Sequence, residues 1–211
     1  MKKNLSAPLR LRVSALRPDD FAGLILAGGE GTRWGGPKAW ALLPDGGSFL
    51  EACEMTLREA GASPIVATVP PGTDDPRIDG LEAIALPEPG MDMFGSLRAG
   101  LGRLLETPSW QTVAVLPVDH PLVRPETVTE LAALAGPAAI PSFNGKHGHP
   151  VCLARTVAES IARGDVAGPT LREVLRVVGA LSAPVDDPGI VANCNTPAAL
   201  AAALSAANSE F

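Results

Sequence analysis

Continuous apolar runs alternate along the chain with segments of helical periodicity. One run covers residues 21–27 ("FAGLILA") and another covers residues 112–118 ("TVAVLPV"). Runs of this kind are typical of strands that are covered on both faces of a parallel sheet. Shorter apolar segments predict further strands at residues 64–69, 82–87, 138–141 and 151–154.

Helical signals stand between these predicted strands. Ser48 and Glu51 form a capping box and Gly61 supplies a C-terminal stop, which predicts a helix over residues 48–61. Further helices are predicted at residues 96–106, 125–135, 155–163 and 170–178, and an Ala-rich closing helix begins at Thr196 and Pro197. The alternation predicts an α/β fold with a mostly parallel central sheet, whose ligands bind where the carboxyl ends of strands meet loops.

Length and charge narrow the class of protein. The 211 residues predict one domain over residues 21–211, preceded at residues 1–20 by a basic segment that is either a loosely ordered leader or an extra edge element. A net charge of −6 argues against nucleic acid or an anionic membrane as a partner, and no apolar run is long enough to span a membrane. The three cysteines lack disulfide or zinc-site spacing, which indicates structural thiols in a reducing cytoplasm.

The first predicted strand leads into a loop rich in glycine, residues 24–39, "LILAGGEGTRWGGPKA". A P-loop is excluded because Pro37 stands where its lysine is required, and a dinucleotide fingerprint is disfavoured because Trp34 replaces the third glycine. Two interpretations remain. Either backbone N–H groups wrap a polyphosphate that Arg33 and Lys38 neutralise, or the segment is a flexible turn with two solvated cations.

The glycine-rich loop resembles the signature loop of nucleotidyltransferases, L-A-[AG]-G-x-[GS]-x-R-[MF]-G followed by a lysine. Four later segments are similar to the molybdenum cofactor cytidylyltransferase and guanylyltransferase (MobA-like) branch of these enzymes: "GSLRAGL" at 95–101, "VLPVDHPLVRPETV" at 115–128, "GKHGHPVCL" at 145–153 and "VDDPGIVANCNTPAAL" at 185–200. The resemblance implies a Rossmann-like three-layer nucleotidyltransferase fold over about residues 21 to 203.

The resemblance also implies which residues bind and react. The nucleotide, CTP or GTP, would be held by loop residues and by Ser96; the loop residues are Leu26, Ala27, Gly28, Gly29, Glu30, Gly31, Thr32 and Arg33. Arg33, Lys38 and Asp119 would be catalytic, and Asp119 with Asn195 would bind Mg²⁺. The position of Asp119 at the end of a buried strand agrees with this role, although it also suits an ordinary turn residue before Pro121.

The sequence contains no recognisable nucleophile or general base. A phosphate monoester is already largely a dianion at neutral pH, so it can attack without losing a proton to the enzyme. We therefore expect an acceptor phosphate, on a molybdopterin-type cofactor, to attack the α-phosphorus of the nucleotide with release of pyrophosphate. A molybdoenzyme or its chaperone is a further partner that the resemblance suggests.

Several residues keep more than one interpretation. Asn193 and Asn195 resemble the guanylyltransferase form, as does "LAGG", whereas "SLRAGL" and "GHPV" resemble the cytidylyltransferase form. Each Asn withholds a negative charge from the metal, so metal binding could be weaker. Ser96 fits either a helix cap or a nucleotide contact. His147 and His149 fit an acceptor loop, a metal site or a plain turn.

Three functions remain open at this point. The first is transfer of CMP or GMP to molybdopterin, and the second is the same transfer to a sugar phosphate or another phosphorylated small molecule. The third is a nucleotide-binding accessory protein without catalysis, which the two asparagines and Trp34 would suggest.

Overall fold

The central layer of the protein is a twisted sheet that a computed structural model defines over residues 20–73, 76–134, 136–166 and 168–207. The predicted leader at 1–20 lies outside these described residues, except for Asp20. Eight strands form one sheet within the described part of the chain: Phe21–Leu26 (β1), Ile65–Val69 (β2), Leu81–Ala85 (β3), Thr112–Pro117 (β4), Ala138–Phe143 (β5), Lys146–His147 (β6), Val151–Ala154 (β7) and Leu181–Pro184 (β8).

The strand order is β3-β2-β1-β4-β7-β5-β6, and β8 pairs with β5. The neighbouring pairs β3-β2, β2-β1 and β1-β4 are parallel, and β8 is also parallel to β5. The pairs of β7 with β4 and β5, and of β6 with β5, are antiparallel. The predicted mostly parallel sheet is therefore confirmed for its core, where β1 lies between β2 and β4.

Helices cover both faces of this sheet. They are Phe49–Glu59 (α1), Met93–Leu104 (α2), Pro125–Ala132 (α3), Arg155–Arg163 (α4), Leu171–Val178 (α5) and Pro197–Ala207 (α6). One core cluster joins β1 to Phe49, Leu131 and Leu200 of α1, α3 and α6. The other joins it to side chains of α2, α4 and α5, including Leu101 and Val174. The three-layer architecture is thus confirmed.

The predicted helices and strands are found with small changes of boundary. The capping box of Ser48 and Glu51 is present, and Thr196 Oγ1 accepts a hydrogen bond from Ala199 N at the start of α6. The predicted start of a helix at Ser96 is wrong, because Asp92 caps α2 and Ser96 lies inside it. Strands β6 and β8 were not predicted from the sequence, since both are short and more exposed than the core strands.

Gly100 explains how a helix with three glycines packs on the sheet. A Cβ at Gly100 would lie 2.4 Å from Leu24 Cδ1, so the missing side chain lets α2 approach β1 closely. Tight packing on the sheet therefore offsets the conformational cost of glycine within this helix. In the described residues, no helix has the length and apolar character to cross a membrane.

Candidate active site

The glycine-rich loop lies at the carboxyl end of the central strand β1. After Gly29 the chain makes a tight turn, where Gly31 adopts a positive φ of 60° and a Cβ would lie 2.0 Å from Gly36 O. Two short 3-10 turns follow, Thr32–Trp34 and Lys38–Trp40. Arg33 is exposed on the first of these turns and Lys38 opens the second. Only glycine at position 31 permits this geometry.

Adjacent glycines of the loop have different surroundings. A Cβ at Gly28 would lie 2.2 Å from Leu86 Cδ1, so a side chain at this position would force Leu86 to move. A Cβ at Gly29 would meet no atom within 4 Å, and the same holds for Gly35 and Gly36. The protein itself does not require glycine at position 29. An unfilled backbone surface of this kind suits a ligand that lies directly against the main chain.

Three segments bring Lys38, Asp119 and Asn195 together. The Nζ atom of Lys38 lies 2.9 Å from Asp119 Oδ2 and 2.5 Å from Asn195 Oδ1. Asp119 follows β4 and is only 8% exposed. The structure therefore places three of the predicted site residues in contact at the carboxyl end of β1 and β4, although 157 positions separate Lys38 from Asn195.

Trp34 holds the glycine-rich loop against the segment that carries Asn195. Its indole Nε1 donates to the carbonyl oxygen of Cys194 at 3.1 Å, and its ring packs edge-to-face on Phe49 with centroids 5.3 Å apart. Cys194 N in turn donates to Asp119 O at 2.8 Å. Trp34, which departs from the family signature, therefore fixes the mutual position of the three segments. No pattern in the sequence signalled these contacts.

Asp187 anchors the same C-terminal segment to helix α3. Its carboxylate is 1% exposed and accepts hydrogen bonds from Arg124 N, Thr127 Oγ1 and Gly189 N at 2.8–2.9 Å. Because all of these partners are donors, they satisfy a buried charge that would otherwise be costly. Asp187 was not identified as a site residue from the sequence.

The donor set at Lys38 suits a hard divalent cation. The ammonium group lies between a carboxylate oxygen and an amide oxygen, so these two oxygens already converge on a single cation. Among the described residues, no group of three or more His, Cys, Asp or Glu could hold a metal ion. Few protein ligands and oxygen donors are typical of Mg²⁺, which takes the rest of its shell from water and substrate phosphates.

A cavity of about 1100 Å³ adjoins this centre. Near Asp119 and Asn195 its wall is formed by His120 and Asn193, and its floor is largely apolar. Residues of helix α5 and strand β6 also line the cavity. The cavity is large enough for a substrate with a ring system, and it lies on the carboxyl edge of the sheet where α/β proteins bind ligands.

The family model for the MobA-like NTP transferase domain matches residues 23–185, from the central strand to the end of β8. This chain belongs to the MobA-like NTP transferase family. It is a nucleotidyltransferase with a Rossmann-like fold, as the sequence predicted.

Two relatives have names that describe molybdenum cofactor guanylyltransferases. The transferase is 33% identical over 188 residues to a molybdenum cofactor guanylyltransferase of Rhodobacter capsulatus, and the match covers 87% of this chain and 94% of that protein. It is 32% identical over 115 residues to "Probable molybdenum cofactor guanylyltransferase" of Geobacillus sp. (strain WCH70), covering 54% of this chain and 58% of the relative.

Solved structures share the fold. Rv0371c from Mycobacterium tuberculosis H37Rv superposes with a TM-score of 0.68 at 22% identity, covering 90% of this chain and 100% of that one. The structure of the same protein in complex with manganese superposes with a TM-score of 0.65 at 22% sequence identity, and the match covers 88% of this chain and 98% of that one. The 2-C-methyl-D-erythritol 4-phosphate cytidylyltransferase of Thermus thermophilus superposes with a TM-score of 0.63 at 22% sequence identity, and the match covers 89% of this chain and 98% of that one.

Ser96 occupies an interior position in the transferase. Its hydroxyl lies 2.7 Å from Thr68 Oγ1 and the residue is 4% exposed. The hydroxyl therefore links α2 to β2, and a contact of Ser96 with the nucleotide stays a prediction.

The histidines of the "HGH" motif separate in the structure. His147 lies on β6 and is exposed, with Nε2 at 3.0 Å from Ser182 Oγ. His149 instead packs on His120, with ring centroids 4.7 Å apart. Burial lowers the pKa of His149 to about 4 and also lowers the pKa of His120. The pair is therefore neutral at pH 7 and lines the cavity wall.

The three cysteines are buried free thiols, as expected from the sequence. Burial raises the pKa of Cys152 to about 12 and that of Cys194 to about 11, and it raises the pKa of Cys53 further. Thiols that stay protonated at neutral pH are poor nucleophiles. The backbone of Cys194, rather than its thiol, helps to hold the site together through hydrogen bonds. Its carbonyl oxygen accepts from Trp34 Nε1 and its N donates to Asp119 O.

Proposed function

We propose that this transferase moves a GMP unit from GTP, or a CMP unit from CTP, to the phosphate of a molybdopterin-type acceptor and releases pyrophosphate. The observation that carries the proposal is the convergence of Lys38, Asp119 and Asn195 beside an exposed glycine-rich loop, with a large cavity adjoining them.

The glycine-rich loop would bind the triphosphate. Backbone N–H groups around Gly29 and Gly31 would point at phosphate oxygens, and Leu26, Ala27, Gly28, Glu30, Thr32 and Ser96 would complete the nucleotide site. Arg33 is exposed and its side chain has no hydrogen bond or ion pair to another described residue, so its guanidinium can grip two phosphate oxygens. A surface without side chains lets main-chain donors reach the nucleotide.

Catalysis then depends on charge and alignment. Lys38 is a cation of the loop that contacts Asp119 and Asn195, and its flexible side chain would follow the charge that develops on the departing pyrophosphate. Asp119 and Asn195 would hold Mg²⁺, which supplies charge neutralisation to phosphate oxygens when it is bound. The acceptor phosphate needs no general base, and the neutral pair His120 and His149 would line the cavity rather than act as a base.

GTP is the first nucleotide to test. Both relatives with related names are described as guanylyltransferases, and Asn193 and Asn195 with the "LAGG" sequence resemble that form. CTP remains the alternative because "SLRAGL" and "GHPV" resemble the cytidylyltransferase form.

The remaining proposals concern the setting of the reaction. We place the activity in a single domain over residues 21–211, in the cytoplasm, without nucleic acid or membrane as partner. A molybdoenzyme or its chaperone would receive the product.

Release of pyrophosphate from GTP or CTP in the presence of molybdopterin tests the proposal. Asp119→Asn should lower kcat at least about 100-fold, because it removes the charge that holds the metal. Asp186→Asn is the matched control, since Asp186 is exposed and its substitution removes the same charge outside the site. Equal rates for Asp119→Asn and the wild type would overturn the assignment of Asp119. No pyrophosphate with any nucleotide would favour a non-catalytic nucleotide-binding protein.

A further inference from the structure

The lining of the cavity carries more positive than negative side chains, in a chain whose net charge is −6. The charged residues that line the cavity are Asp92, Lys146, Arg172 and Arg176. Asp92 is already engaged, because its Oδ1 accepts a hydrogen bond from Gly95 N at 2.6 Å and caps α2. Three of the four charged residues that line the cavity are therefore cations, and all three are exposed.

These cations have no partner within the described part of the protein. Among the described residues, none forms a hydrogen bond or an ion pair with the side chain of Lys146, Arg172 or Arg176. Most other arginines in the described part are paired; for example, Arg103 contacts Glu82 and Glu106, and Arg163 contacts Asp165. Within the described residues, Lys146, Arg172 and Arg176 are thus three cations without a protein partner that line one cavity, and Arg33 is another such cation at the glycine-rich loop.

Helix α5 presents two of the three cations on one face. Arg172 and Arg176 are one helical turn apart, and like charges at this spacing destabilise a helix by about 0.2–0.5 kcal/mol. The acid between them in sequence, Glu173, does not relieve the repulsion. Its Oε2 accepts from Thr170 Oγ1 at 2.8 Å and its backbone N donates to the same hydroxyl, so it belongs to the helix cap. An external anion would relieve it.

These cations and those of the glycine-rich loop lie on different elements of the fold. Arg33 and Lys38 supply positive charge at the glycine-rich loop, whereas Lys146 lies on β6 and the two arginines lie on α5. Apolar side chains of the sheet, including Leu26, Val115 and Ile140, form the floor of the same cavity. A ligand that satisfies the whole cavity has a flat apolar face and two anionic groups.

We propose that Arg172, Arg176 and Lys146 bind a second anionic group of the acceptor, remote from the phosphate that attacks the nucleotide. This inference rests on the proposed function, because it takes the cavity as the acceptor site. It names the substrate class: a ring-bearing phosphate with an additional anionic centre, such as thiolates or an oxyanion. Guanidinium groups suit such an anion because they donate two parallel hydrogen bonds. A polyol monophosphate lacks the second anion.

Binding to purified full-length protein without nucleotide tests the proposal by isothermal titration under anaerobic conditions. The probes are metal-free molybdopterin, the same compound after phosphatase treatment, and 2-C-methyl-D-erythritol 4-phosphate. The variants are Arg172→Gln with Arg176→Gln, and separately Lys146→Gln on another element. Arg163→Gln is the control, because it removes an exposed arginine that pairs with Asp165 and does not line the cavity.

We expect the double variant to raise the Kd of both pterin probes about tenfold, which corresponds to about 1.4 kcal/mol, and to leave the polyol phosphate unchanged. Lys146→Gln should act in the same direction and Arg163→Gln should have no effect. The proposal is overturned if the double variant binds the pterin probes like the wild type, or if the wild type does not bind them. It is also overturned if the polyol phosphate weakens equally, because the arginines would then hold the reacting phosphate.

Turnover separates this inference from the proposed function. If pterin binding depends on the two arginines but no pyrophosphate is released, the inference stands and the proposed transfer reaction fails. If molybdopterin is turned over and its KM is unchanged in the double variant, the transfer reaction stands and the inference fails.

Discussion

At the scale of single residues, Gly28 and Gly29 are adjacent but have different reasons to be glycine. Gly28→Ala forces a methyl group against Leu86, and we expect a loss of about 1–3 kcal/mol in the free energy of unfolding. Gly29→Ala should fold normally, because its Cβ meets no protein atom, but it should weaken GTP and CTP binding. Urea unfolding and a nucleotide-induced thermal shift measure the two effects. Unchanged nucleotide binding in Gly29→Ala would mean that no ligand lies against this backbone.

Lys38 makes a second prediction at this scale. Its ammonium group contacts both oxygens that we assign to the metal, and a dication cannot share this position with it. Lys38→Met should therefore bind Mn²⁺ about tenfold more tightly than the wild type in the absence of nucleotide. Electron paramagnetic resonance of free Mn²⁺ provides the measurement.

The control for Lys38 is Arg33→Met, which removes one nearby positive charge without a contact to Asp119 or Asn195. If both variants gain the same affinity for Mn²⁺, the effect is general charge and Lys38 does not occupy the metal position.

At the scale of secondary structure, local signals located most of the elements. The capping box at Ser48 marked α1 because its hydrogen bonds join residues only three positions apart. Helix α2 was placed too late, because Asp92 and the first turn follow a Pro- and Gly-rich stretch without helical periodicity. Strand β8 was missed since its partner, β5, is distant in sequence.

Asp187 connects elements that no local signal relates. Its carboxylate fixes the start of α3 and the turn at Pro188–Val191, which leads towards Asn195. Asp187→Asn replaces one accepting oxygen by a donor that faces other donors, so we expect unfolding to become easier by about 1–3 kcal/mol. Urea denaturation checks this against Asp186→Asn, which is exposed. Equal stability of the two variants would show that the three hydrogen bonds contribute little.

At the scale of the whole molecule, the neutral histidines couple stability to pH. The ordinary pKa of His149 is 6.5, and burial lowers it to about 4 in the folded protein. Between these values the unfolded chain binds more protons than the folded one, so this group's contribution is complete above about pH 6.5 and is lost as pH falls towards 4. Burial lowers the pKa of His120 in the same direction.

Urea denaturation at pH 7 and pH 5 measures this contribution. The wild type should lose about 1–2 kcal/mol more stability than His149→Asn over that interval. His147→Asn is the control, because His147 is exposed on β6 and should keep the wild-type dependence. If His149→Asn shows the same loss as the wild type, the buried pair does not carry the pH dependence.

The sequence by itself determined the α/β class, most helices and strands, and the residues of the glycine-rich loop, because apolar periodicity, caps and glycine spacing act over a few neighbouring positions. It also selected Lys38, Asp119 and Asn195 as candidate site residues through the family motifs. Only the tertiary structure decided that these three are in contact, that Trp34 and Asp187 hold their segments, and that Arg172 and Arg176 face the cavity. Such contacts join residues distant in sequence, and packing of the helices on the sheet fixes them.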